Sequence, residues 1–60
     1  MHKVIETSDN QHIGALIDLN SSFIILDQMI FKIEKLTYKD DKIELTDGDY
    51  RVTVVLENNL

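Results

Sequence analysis

The segment Leu36-Thr37-Tyr38-Lys39-Asp40-Asp41-Lys42-Ile43-Glu44-Leu45-Thr46-Asp47-Gly48-Asp49-Tyr50-Arg51-Val52-Thr53-Val54-Val55-Leu56 decides the fold. Apolar and polar residues alternate along most of it, the period of a strand with one buried face. Asp47-Gly48 is a strong two-residue hairpin turn, because Asp and Gly tolerate the positive φ that such turns need. A turn there sets Leu45 against Tyr50, Glu44 against Arg51 and Ile43 against Val52. A second turn at Asp40-Asp41 sets Tyr38 against Ile43, Thr37 against Glu44 and Leu36 against Leu45. Both turns collect Leu36, Tyr38, Ile43, Leu45, Tyr50, Val52, Val54 and Leu56 on one face. Lys35, Thr37, Lys42, Glu44, Arg51 and Thr53 fall on the other. Two turns that agree on one face predict an antiparallel meander. The register also opposes Lys39 and Lys42, a like-charge pair that a longer loop relieves.

Upstream, Lys3–Thr7 reads as a strand, Ser8-Asp9-Asn10-Gln11 as turn chemistry and His12–Leu19 as a second strand. The loop of this hairpin fits either about two or about four residues. Asn20-Ser21-Ser22 is a further turn. Phe23-Ile24-Ile25-Leu26 is apolar at both parities, the pattern of a strand covered on both faces. Residues 26–36 carry two readings. Leu26, Met29, Ile30, Ile33 and Leu36 recur at helical spacing behind a capping Asp27. A turn at Asp27-Gln28 instead leads into a strand with Met29, Phe31 and Ile33 on one side, and the Ile and Phe content favours that strand. The expected fold is one all-β domain over residues 1–60. It is a small antiparallel meander of five or six strands, curled into an SH3-like or Sm-like barrel. The alternative is a ββαββ layer with a helix at 27–36.

The barrel comes from a resemblance over residues 4–38. Val4-Ile5-Glu6-Thr7, Ile13–Leu19, Phe23–Leu26, Gln28–Lys32 and Leu36-Thr37-Tyr38 follow one another as the strands of Sm-like small barrels do, the bacterial RNA chaperone of that family included. Gly14 stands where that family begins a long bent strand, and a sharp bend needs a residue without Cβ. Other SH3-like barrels share the pattern. The resemblance implies an oligomer that binds RNA. Ile24 stands where many Sm proteins carry Asn, and Ile33 follows Lys32 where the chaperone places His, so the fold carries over better than the RNA site.

The chain of 60 residues has 6 basic and 11 acidic side chains, a net charge of −5, and no cysteine, proline or tryptophan. Chains this short need a staple: a disulfide, a metal or a partner. Disulfides are excluded, and His2 and His12 fall short of a closed zinc site. Oligomerisation or partner binding is left. No apolar run reaches the ~20 residues of a membrane span. Met1-His2-Lys3-Val4 lacks the apolar stretch of a signal peptide, so the chain is expected in the cytoplasm.

Catalytic signals are sparse. Ser8, Ser21 and Ser22 lie in turns without a glycine elbow. His12 near Asp9 reads as a solvated side chain rather than an acid–base pair. Gly14 and Gly48 do not make a phosphate loop. No enzyme activity and no cofactor are expected. Asp40, Asp41, Glu44, Asp47 and Asp49 give residues 40–49 a charge of −4 against Lys42 alone. The two turns stand roughly 17 Å apart along the intervening strand, too far for one metal site. These acids are read as a docking surface for a protein partner with a basic surface. Lys32, Lys35, Lys39 and Lys42 form a basic streak read as edge-strand protection. Phe23, Ile24, Ile25, Leu26 and Val55 are the expected self-association surface, in a dimer or larger homo-oligomer. The expected function is a non-enzymatic inhibitor or adaptor, similar in size and charge to phage or mobile-element accessory proteins. The alternatives are an Sm-like RNA-binding oligomer and a structural subunit of a larger assembly. Nucleic acid is disfavoured as a partner by the net charge, and a membrane by the lack of a span.

Overall fold

The computed structural model describes residues 1–19 and 22–57. Among these residues seven strands follow in order: β1 His2–Thr7, β2 Leu16–Ile17, β3 Phe23–Leu26, β4 Met29–Lys32, β5 Lys35–Lys39, β6 Lys42–Asp47 and β7 Tyr50–Leu56. All pairings are antiparallel. The all-β reading stands, and the helix at 27–36 does not form. Asp27 and Gln28 both take positive φ, 49° and 71°, the signature of a type I′ hairpin turn. That turn commits Met29 onward to a strand. Asn20 and Ser21 of the expected turn lie outside the described residues.

Five strands make one sheet in the order β2-β1-β7-β6-β5, and β3-β4 make a second. The ladder among the described residues does not close into a barrel. Nor is the molecule a meander throughout. β5, β6 and β7 follow one another, but β1 returns to pair with β7, so the two ends of the chain lie side by side. β7 becomes a central strand, with Val52 and Val54 fully buried. A bulge at Ile5 lets Val4 face the core and Glu6 still pair with Thr53 on the opposite side.

The β5–β6 register is the expected one, with Leu36 opposite Leu45, Tyr38 opposite Ile43 and Lys39 opposite Lys42. No longer loop separates the two lysines. The β6–β7 register differs. Leu45 faces Val52 and Asp47 faces Tyr50, so the turn is Gly48-Asp49 rather than Asp47-Gly48. Gly48 has φ 61° and sits at the first central position, where a type II′ turn takes glycine. Sliding the turn by one residue moves each partner by two, which leaves every side chain on its expected face.

The expected strand His12–Leu19 contracts to Leu16–Ile17. Asn10, His12 and Gly14 all have positive φ, and three left-handed positions in five residues cannot form an extended strand. The loop instead folds onto β1. Gly14 N donates to the Val4 carbonyl at 2.8 Å, and Val4 N donates to the Ala15 carbonyl at 2.9 Å.

The β3–β4 hairpin lies over the apolar face of the larger sheet. Ile24, Leu26 and Phe31 face inward and join Val4, Ile17, Leu45, Val52 and Val54 in the core. A polar clasp fixes the hairpin. Lys32 N donates to Asp47 Oδ2 at 3.2 Å, Gly48 N donates to Glu34 Oε1 at 2.8 Å, and Glu34 N donates to the Thr46 carbonyl at 2.9 Å. These bonds tie the end of β4 to the β6–β7 turn. The hairpin is too narrow to cover the whole sheet. Leu36, Tyr38 and Leu56, all expected on the buried face, stay exposed beyond its edge.

Candidate interaction surfaces

Strand alternation in β3 sends Ile24 and Leu26 to the core and Phe23 and Ile25 to the solvent. The expected double burial is therefore not met within one chain. Ile25 pairs directly with Ile30 of β4, and Phe23 with Lys32. Phe23, Ile25 and Ile30 are 44, 59 and 69 % exposed, so three large apolar side chains share the outer face of the hairpin. A shallow groove of about 310 Å³ runs beside them, lined by Met1, Leu16, Ile17, Asp18, Phe23, Ile24 and Ile25. Val55 is half-buried between Lys3 and Lys42 in the large sheet, on the face opposite the hairpin. The expected self-association residues thus divide three ways: Ile24 and Leu26 inside, Phe23 and Ile25 on the hairpin, Val55 on the far side.

The acidic residues divide as well. Asp40 and Asp41 cap the β5–β6 turn, while Asp47 and Asp49 flank Gly48 at the other end of β6. Asp47 accepts the Lys32 amide, so it is a structural group. Glu44 lies midway, 3.8 Å from the Arg51 guanidinium. Among the described residues no three acidic, His or Cys side chains converge in a way that would hold a metal ion.

Register also gathers charge that the sequence disperses. Lys39, Lys42, Val55 and Lys3 form one row across β5, β6, β7 and β1. Lys35, Thr46 and Arg51 form another, four residue pairs away along the ladder. Five of the six basic side chains therefore share the polar face of the large sheet, with Glu6 and Glu44 between the rows. The acidic balance of the whole chain concealed this patch. The two hairpins already set Lys35, Lys42 and Arg51 on one face; adding Lys3 needed the β1–β7 pairing, which no local pattern announces.

Next to this face a cleft of about 230 Å³ is lined by Glu6, Thr7, Ser8, Asn10, Arg51 and Thr53. It is smaller than the ~300–1,000 Å³ of a typical ligand pocket. Asp9 is held at the rim of the fold. Tyr50 Oη donates to its Oδ1 at 2.7 Å, and Gln11 N and Thr7 Oγ1 donate at 3.1 and 3.2 Å. The Tyr50 bond, with the smaller help of these donors, holds the Asp9 carboxyl below the usual carboxylate range.

No family model, curated protein or solved structure matches the chain. Among the described residues no helix is long and apolar enough to cross a membrane.

Proposed function

We propose that this chain is a small non-enzymatic binding protein, an inhibitor or adaptor that docks on a protein partner in the cytoplasm. One observation carries the reading. Phe23, Ile25 and Ile30 stand exposed on the outer face of a hairpin whose inner face is locked into the core. Interface centres combine apolar anchors with a rigid support. The clasp from Glu34 and Asp47 supplies the support. With a net charge of −5 and acids at the turn tips Asp40, Asp41 and Asp49, the matching partner has an apolar centre and a basic rim.

The test is affinity capture from the source cells with three proteins: the parent chain, Ile25→Ser with Ile30→Ser, and Asp40→Lys with Asp41→Lys and Asp49→Lys. The reading expects a stoichiometric complex with the parent that both variants weaken while keeping their spectra. Capture of the same protein by all three ends it.

A second reading is an Sm-like RNA-binding oligomer. It is favoured by the basic face, where Lys3, Lys39 and Lys42 line up across the sheet. It predicts salt-sensitive binding of a short single-stranded RNA. An unshifted band in a low-salt gel removes it.

A further inference from the structure

β5 is an open edge. It ends the five-stranded sheet, and β6 is its one neighbour among the described elements. The other edge, β2, is two residues long, whereas β5 offers five residues of backbone to pair with. The two sides of this edge differ in chemistry. Leu36 and Tyr38 project on the apolar face, where the hairpin does not reach them, and are 39 and 73 % exposed. Lys35 and Lys39 project on the polar face, with Thr37 between them. Lys39 stands directly opposite Lys42, and among the described residues neither has an ion-pair partner within 4 Å. Like charges directly opposed across a ladder are destabilising, and a carboxylate placed beside them relieves the repulsion.

We infer that β5 is a docking edge for an extended acidic segment of a protein partner, which joins the sheet as its next strand. The edge dictates the pattern of that segment. Side chains on a strand alternate between faces. Carboxylates four residues apart face Lys35 and Lys39, a polar residue midway faces Thr37, and the two residues between face Leu36 and Tyr38. The order is acid, apolar, polar, apolar, acid. Backbone hydrogen bonds supply attachment and the alternating side chains supply selection. The same lysines disfavour a second copy of this chain. A full antiparallel overlap of two β5 strands centres on Thr37 and sets Lys35 against Lys39 of the partner strand twice. The edge thus rejects its own kind and accepts the opposite charge, which is how specific interfaces are built. No aromatic side chain lies on the lysine side to stack a nucleobase, so a protein strand fits better than single-stranded nucleic acid. Asp40 and Asp41 of the docking rim adjoin this edge, but the hairpin face lies on other elements, so capture lost in Ile25→Ser with Ile30→Ser and peptide binding lost at β5 are separate outcomes.

The experiment is a nuclear magnetic resonance titration of the labelled full chain with blocked peptides built around Glu-Val-Thr-Val-Glu. The expected result is saturable movement of the β5 amides at about 1 mM peptide. A peptide with Lys in place of Glu, or with alternate backbone amides methylated, leaves those amides unmoved. Lys39→Glu creates an internal pair with Lys42, keeps the spectrum of the folded chain and weakens the acidic peptide by about fivefold or more. The inference is overturned if the Glu peptide moves no β5 amide, or if the Lys or methylated peptide binds equally well. Concentration-dependent movement of β5 without peptide overturns it in favour of a second copy. Movement of the β5 amides by oligothymidylate but not by the Glu peptide overturns it in favour of nucleic acid.

Discussion

Tyr50 donates a hydrogen bond from its phenol to Asp9 at 2.7 Å, across a sequence separation of 41 residues. The same ring meets Phe31 edge-on, with centroids 5.8 Å apart and planes at 61°. One side chain at the start of β7 thus joins the β1–β2 loop to the hairpin core. The single Thr7 hydroxyl proton is shared between Asp9 Oδ1 and the nearer Gln11 carbonyl at 2.8 Å, which closes the loop that presents Asp9.

Titration reads this contact directly. The Tyr50 bond holds the Asp9 carboxyl below 3.8, and burial, followed by the Asp9 bond, holds the Tyr50 phenol above 10.0. A carboxyl with a depressed folded value stabilises the fold above its unfolded value, and that contribution is lost as pH falls through the folded value. A phenol with a raised folded value contributes below its unfolded value and loses it as pH rises through the folded one. In Tyr50→Phe, the Asp9 carboxyl carbon is expected to titrate at higher pH than in the parent. Coincident titration curves would show that the bond is absent in solution.

Adjacent residues of β3 separate core from surface. Ile24→Lys buries a charge at a site 3 % exposed and is expected to prevent folding. Ile25→Lys, at 59 % exposure, is expected to change stability by no more than about 0.5 kcal/mol. Denaturant unfolding of both variants checks the strand register, because a one-residue slip exchanges the two outcomes.

Phe31 is the largest side chain in the core and links the hairpin to the large sheet. Phe31→Ala is expected to cost about 3–5 kcal/mol. A 60-residue domain holds roughly 3–9 kcal/mol in total. The variant is therefore expected to lose about a third or more of its stability, and a lowered denaturant midpoint is the readout. A cooperative transition near that of the parent would place Phe31 outside the core.

Gln28 occupies a left-handed position at φ 71° in a type I′ turn. That conformation costs a side chain-bearing residue about 1 kcal/mol, and glycine adopts it without strain. Gln28→Gly gives the favoured Asp-Gly turn and is expected to raise stability by roughly 0.5–1 kcal/mol. At Gly48, φ 61°, Gly48→Ala is expected to lower it by a similar amount. Thermal unfolding measures both, and the opposite signs are the test.

The strand class, the turns at Asp27-Gln28 and Asp40-Asp41 and the inward set Leu45, Val52 and Val54 were legible in the sequence. These follow from period-two alternation and local turn chemistry, which act over a few residues. The acidic turn tips were legible as residues but not as a site, because β6 holds Asp40 and Asp41 apart from Asp47 and Asp49.

Other features needed the folded chain. Pairing of β1 with β7, which brings Lys3 beside Val55 on the basic face, and the Tyr50–Asp9 bond join residues some 40 or more positions apart, and no local signal encodes such a meeting. The inward side of β3 was set by packing. Ile24 and Ile25 are the same residue type, so only the hairpin's seat over the sheet separates core from contact surface. Likewise, alternation alone assigned Leu36 and Tyr38 to the apolar face, and the limited width of the hairpin left them open to solvent. Alternation acts on a strand and its neighbours, whereas coverage depends on the area of the opposing layer, and that is a property of the assembled fold.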